Sequence, residues 1–178
     1  MSIKIGALVV DLQGFQLTAE EKELLAHPLV GGVILFTRNY ENPAQLKTLC
    51  TAIRAVRTLP LLIMADQEGG RVQRFRHGFY PLPPLSMLGE RYEQNPELAL
   101  QLTKTAGWLM ATELLDAGLD FSLAPVVDMN KGISNVIGTR AFHADANIVF
   151  RLAETYMLGM KEAGMSATIK NFPGHCSV

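Results

Sequence analysis

Ile63-Met64-Ala65-Asp66-Gln67-Glu68-Gly69-Gly70-Arg71-Val72-Gln73-Arg74-Phe75-Arg76 begins as an apolar run and turns abruptly to carboxylates, paired glycines and arginines. The apolar part reads as a strand buried on both faces. The polar part then falls at the strand's C-terminal end, where α/β proteins bind their ligands. Carboxylates accept hydrogen bonds and guanidinium forks donate them, so the mixture suits a ligand with several hydroxyls. A solvated loop of surface ion pairs has a similar composition. Gly69-Gly70 argues against it, because paired glycines beside charges imply an unusual backbone or a close approach. Asp66 and Glu68, two positions apart, point the same way along a continuing strand. Asp66 reads as functional, while Glu68 is divided between the site and an ion pair with Arg71 or Arg74.

The same strand-then-polar pattern recurs on either side. Residues 4–12 end at Asp11, residues 31–37 in Thr37-Arg38-Asn39, residues 121–127 at Asp128, and residues 166–169 deliver Lys170 and Asn171. Helices alternate with these strands. Thr18 and Glu21 form a capping box, and Asn42-Pro43 opens a helix with Leu46, Leu49, Cys50 and Ile53 on one face. Asn95-Pro96 starts a long helix carrying Leu98, Leu102, Ala106, Leu109 and Met110, closed by Gly118, with Trp108 expected in the core. Asp145 caps a helix bearing Ile148, Leu152, Tyr156 and Met160. Residues 66–95, with Pro81, Pro83 and Pro84, read as long and irregular.

Repeated βα alternation implies parallel strands joined by crossovers. No Gly-x-Gly-x-x-Gly follows the first strand and no P-loop is present, which disfavours a nucleotide-binding doubly wound sheet. In a (β/α)8 TIM barrel all strand C-termini converge on one mouth, so Asp11, Arg38, Asp66, Asp128 and Lys170 would meet. A complete barrel takes ~250 residues. Residues 1–178 therefore read as the N-terminal part of one α/β barrel domain, about its first five βα units. Strands one and five of an unclosed barrel would expose edges, which invites self-association.

Composition narrows the partners. Hydrophobic content of 48% with 19% charged residues is that of a soluble globular domain. A net charge of −1 gives no electrostatic reason to expect nucleic acid or an anionic membrane, so the arginines at 71–76 form a local site. Cys50 and Cys176 have no redox or metal spacing, and His27, His77, His143 and His175 have none suited to zinc; neither a metal nor a cofactor is expected. Asp11 cuts short the N-terminal apolar run and no cleavage-site pattern follows, so the expected location is cytoplasmic. Lys170, after an apolar strand, either binds hydroxyls as a point charge or serves Schiff-base chemistry in a TIM-barrel lyase. Arg140 forks either onto a ligand or onto Asp128.

Asp66-Gln67-Glu68-Gly69-Gly70-Arg71-Val72, Ala124-Pro125-Val126-Val127-Asp128, Ile137-Gly138-Thr139-Arg140 and Lys170-Asn171-Phe172-Pro173-Gly174-His175 together resemble the glycoside hydrolase family 3 β-N-acetylglucosaminidases, the bacterial cytoplasmic β-hexosaminidases of peptidoglycan recycling in particular. The resemblance implies a TIM barrel and retaining hydrolysis of terminal β-linked N-acetylglucosamine from muropeptides. It implies that Asp66, Arg74, Arg140 and Lys170 hold the sugar hydroxyls. Asn171 stands where the family pattern has histidine, another sugar contact, and Cys176 where it has glycine. The family's catalytic acid/base histidine and aspartate nucleophile come later in its pattern, so no catalytic residue is assignable within the chain. A non-catalytic sugar-binding remnant is the alternative from another functional class.

Overall fold

The structure, a computed structural model, describes residues 6–175. Helix boundaries follow from local capping chemistry. Thr18 Oγ1 accepts from Glu21 N at 3.1 Å while Glu21 accepts from Thr18 N at 2.8 Å, which starts α1 (Ala19–Ala26). Asn42 opens α2 (Pro43–Arg54) with an N-cap bond to Gln45 N. A helix α3 (Leu85–Gln94) follows within the supposed irregular stretch. Its N-cap is Pro84, which offers no side-chain acceptor, so the usual start signal is missing. Asn95 then caps α4 (Pro96–Ala117), and Asp145 caps α5 (Ala146–Glu162).

The strands are β1 (Leu8–Asp11), β2 (Val30–Leu35), β3 (Leu62–Ala65), β4 (Gln67–Gly69), β5 (Val72–Gln73) and β6 (Phe121–Ser122). β1, β2, β3 and β6 lie side by side in that order, all parallel. A fifth extended segment continues the wall. Thr168 N donates to Ala124 O and Lys170 N to Pro125 O, each at 3.1 Å, and Lys170 O accepts from Val127 N at 2.6 Å. Pro125 has no N–H to give, which helps confine the formal pairing here to the Val126–Lys170 bridge. The fourth and fifth strands are thus shorter than the apolar runs suggest. Consecutive parallel strands with intervening helices make the wall of a TIM-type α/β barrel, as expected.

β3 is buried beyond its first residue, but β1 is not a strand covered on both faces. Leu8 and Val9 are each 52% exposed on β1, which stands at one end of the strand order among the described residues. On α4 the buried stripe runs through Ala99, Thr103, Ala106, Gly107, Met110, Ala111 and Leu114, while Leu98 and Leu102 face outward. The cause is the close crossing of α5. A Cβ on Gly107 would sit 2.2 Å from Tyr156 O, and one on Gly159 would sit 2.0 Å from Lys104 O. Helices this close select small residues at the seam rather than leucine. Trp108 lies off that seam at 44% exposure, so it is not a core residue.

Candidate functional site

Immediately after β3 the chain enters a short hairpin, β4 pairing antiparallel with β5. Gly69 and Gly70 shape its turn with φ of 98° and 55°. Added Cβ atoms there would meet Pro83 O at 2.5 Å and Pro84 Cβ at 2.7 Å. The paired glycines thus serve both an unusual backbone and a close approach. Arg76 Nη2 donates to Gly70 O at 2.7 Å, tying the turn to the segment that follows β5.

The hairpin, the helical turn Gly138–Arg140 and the fifth segment bring five charges together. Lys170 Nζ lies 2.6 Å from Asp66 Oδ1 and 2.6 Å from Glu68 Oε1. Arg74 Nη2 donates to Asp66 Oδ2 at 2.9 Å. Arg140 forks onto Glu68, its Nε and Nη2 each 2.8 Å from a carboxylate oxygen. Asp66 and Glu68 do share a side, since one ammonium bridges them. Glu68, however, pairs with Arg140 and Lys170, not with Arg71 or Arg74, and Arg140 forks onto Glu68 rather than Asp128. Arg71 instead donates to the carbonyls of Asn135 at 3.1 Å and Val136 at 2.5 Å.

Burial sets one member of the cluster apart. The Glu68 side chain is 1% exposed, whereas Asp66, Arg140, Lys170 and Arg74 are 14%, 14%, 18% and 29% exposed. Glu68 underlies the site, and the four more open groups surround it. Burial alone would raise the Asp66 carboxyl, but Lys170 and Arg74 outweigh it and hold the group below its ordinary range. The bonds from Arg140 to Glu68 push the guanidinium further up. Three cations against two carboxylates leave a surplus of donors and positive charge.

Two further groups flank this centre. Buried Asp128 caps the fifth segment's exit, accepting from Asn171 N at 2.8 Å, Asn171 Nδ2 at 3.0 Å and His175 N at 2.5 Å. Burial raises its carboxyl, and these donors more than reverse the effect. Asn171 is therefore beside Lys170 with its amide nitrogen bonded to Asp128; Cys176 lies outside the described residues. On the other flank Arg38 pairs with Asp11, and Arg38 and Arg74 lie 4.8 Å and 5.4 Å from the centroid of the Phe36 ring. The strand-end residues thus meet as three neighbouring groups, not one. His27 and His143 each accept a nearby backbone N–H, from Leu29 and Asp145. Among the described residues no group of three or more His, Cys, Asp or Glu is placed to hold a metal ion. Nor is any helix there long and apolar enough to cross a membrane.

A parallel barrel wall with a donor-rich charged centre at its strand ends defines the class of α/β barrel proteins that bind ligands at that mouth. The chain belongs to the glycosyl hydrolase family 3 N terminal domain, which it matches over residues 2–178. It is 53% identical over 174 residues to a beta-hexosaminidase of Alkalilimnicola ehrlichii, covering 98% of this chain and 50% of that protein. It is similar to NagZ from Neisseria gonorrhoeae, solved in complex with N-trifluoroacetyl-D-glucosamine, at TM-score 0.96 and 44% identity, covering 99% of this chain and 53% of that one. A family 3 β-N-acetylglucosaminidase from a Paenibacillus species matches at TM-score 0.87 and 32% identity, over 94% of this chain and 32% of that one. The chain spans about half the length of the curated relatives it matches.

Proposed function

We propose that this chain is the sugar-binding part of a cytoplasmic β-N-acetylhexosaminidase that removes terminal β-linked N-acetylglucosamine from muropeptides in peptidoglycan recycling. The observation that carries the reading is the cluster of Asp66, Arg74, Arg140 and Lys170 around the buried Glu68. Adjacent hydroxyls of a sugar ring need acceptors and donors at fixed spacing. Asp66 accepts, Arg74, Arg140 and Lys170 donate, and the buried Glu68 keeps Arg140 and Lys170 in place. Asn171, one residue beyond Lys170, adds an amide at the same rim. The ligand is neutral, so the match is one of hydrogen bonds rather than of net charge.

Catalysis is assigned to no residue of the cluster. Asp66 and Glu68 bracket one ammonium, which keeps them no further apart than the ~5–5.5 Å used by retaining glycosidases. That pair is nonetheless unsuited to the reaction, because Glu68 is sealed beneath the site and both carboxylates are ion-paired. The chain alone is therefore expected to bind N-acetylglucosamine without hydrolysing its glycosides. Titration calorimetry with N-acetylglucosamine should show saturable binding that Asp66→Asn and Lys170→Met each weaken. No saturable binding, or binding indifferent to both substitutions, refutes the reading. The Schiff-base alternative fares worse, since Lys170 is clamped between two carboxylates, the setting of a point charge rather than of a free amine. Borohydride trapping of a carbonyl compound on Lys170 would revive it.

A further inference from the structure

Between the two carboxylates of the site stands a residue facing the other way. Gln67, 1% exposed, alternates with Asp66 and Glu68 and turns its carboxamide into the hairpin. Its Oε1 accepts from Arg74 N at 2.9 Å and Phe75 N at 3.1 Å, and its Nε2 donates to Phe75 O at 3.0 Å. Gln67 N in turn donates to Ser122 Oγ on β6 at 3.1 Å. These bonds replace a missing ladder. β5 is two residues long and its strand pairing stops at Gln73, so Arg74 and Phe75 leave the hairpin without a partner strand. Gln73 extends the same device, donating from Nε2 to Phe75 O at 3.0 Å and Tyr80 O at 2.9 Å, and accepting Leu82 N at 3.0 Å.

Beyond the Phe36 ring, whose centroid lies 5.4 Å away, the Arg74 guanidinium has few contacts to fix it. Nη2 reaches Asp66, while Nε is buried and finds no partner among the described residues. Its aim therefore depends also on where its backbone is held, and the Gln67 amide accepts the Arg74 N–H. We propose that Gln67 is the positioning residue of the site: its carboxamide fixes the Arg74 backbone against the strand that carries Asp66, and so sets the guanidinium that meets the ligand. The inference rests on the sugar-site reading for the ligand, but its geometry stands without one.

The test uses the full chain with Gln67→Met, Arg74→Met and the two combined, read in two ways. The first is affinity for N-acetylglucosamine. The second is the pH titration of the Asp66 carboxyl carbon by NMR, which reports Arg74 directly and needs no sugar. Gln67→Met should weaken binding about tenfold, the scale of one hydrogen bond lost from the site. It should also move the Asp66 titration upward. In the Arg74→Met background it should change neither readout further, because the residue through which it acts is gone. Equal losses in both backgrounds, or an Asp66 titration unmoved by Gln67→Met, would overturn the proposal. If Gln67→Met does not fold, Gln67→Asn, which draws the amide back by one carbon, is read by the same criteria. If Arg74→Met leaves affinity unchanged while the Asp66 titration follows Gln67, the sugar reading falls and the positioning role survives.

Discussion

Replacing Glu68 by glutamine keeps the side chain's size and removes its charge, which isolates the electrostatic role of the buried carboxylate. In the native protein this carboxylate, 1% exposed, faces Arg140 Nε and Nη2 at 2.8 Å and Lys170 Nζ at 2.6 Å. Removing one partner of a buried ion pair costs ~3–5 kcal/mol. The lower end applies here, because Lys170 keeps Asp66 and Arg140 keeps Val136 O at 3.0 Å. A loss of about 3 kcal/mol corresponds to a fall in Tm of ~6–12 °C for a domain of this size. With a urea slope of ~2 kcal/mol/M, the midpoint should move down by about 1.5 M. Urea unfolding followed by the fluorescence of Trp108 measures it. Glu68→Met combined with Arg140→Met should recover part of the loss, since an apolar pair leaves no unmatched charge behind. A Glu68→Gln protein within ~0.5 kcal/mol of the native one, the range of ordinary surface changes, would refute the reasoning.

Gly159→Ala should lower stability by ~1–3 kcal/mol, because its Cβ would fall 2.0 Å from Lys104 O and force α4 and α5 apart; an unchanged melting temperature would contradict the close crossing. Asp66 and Asp128 are both held below their ordinary value of 3.8. Each therefore contributes stability that is present above that value and is lost as the pH falls through the lower folded value. Unfolding titrations from pH 5 downward should show stability declining, and Asp128→Asn should make the decline shallower; an identical slope would argue against the Asp128 cap. Burial pushes the Cys50 thiol up to about 12. In a Cys176→Ser chain it should resist iodoacetamide under native conditions and react on unfolding, whereas fast native labelling would place it at the surface.

Capping residues were legible because their partners lie within three positions of them. Thr18, Asn42, Asn95 and Asp145 each start a helix where their own chemistry and the next few residues require it. The strand-end rule likewise brought Asp66 and Lys170 to one place across 104 positions. What stayed hidden depends on distances that no local pattern encodes. The Arg140–Glu68 pair spans 72 positions, and choosing Glu68 over Asp128 as its partner requires knowing how the 134–140 segment folds back. Helix α3 announces itself by Leu85, Leu88 and Gly89 on one face, but the prolines before it mask the start. On α4, Ala106 and Met110 do lie on the inward stripe, but at Leu98 and Leu102 the neighbouring Ala99 and Thr103 face inward instead, because small residues suit the close crossing. Gln67 was passed over between two carboxylates, although strict alternation already turns it away from them.

Lys170 fastens the fifth segment twice. Its backbone N–H and carbonyl join it to Pro125 and Val127, and its ammonium joins it to Asp66 and Glu68. The seam between the fourth and fifth strands is therefore joined to the charged centre through one residue. Acid or salt that loosens the carboxylates' hold on the ammonium removes one tie of the fifth segment and leaves the Thr168–Ala124 bond and the Asp128 cap to keep it on the wall. The seating of this segment and the geometry of the site are coupled at Lys170.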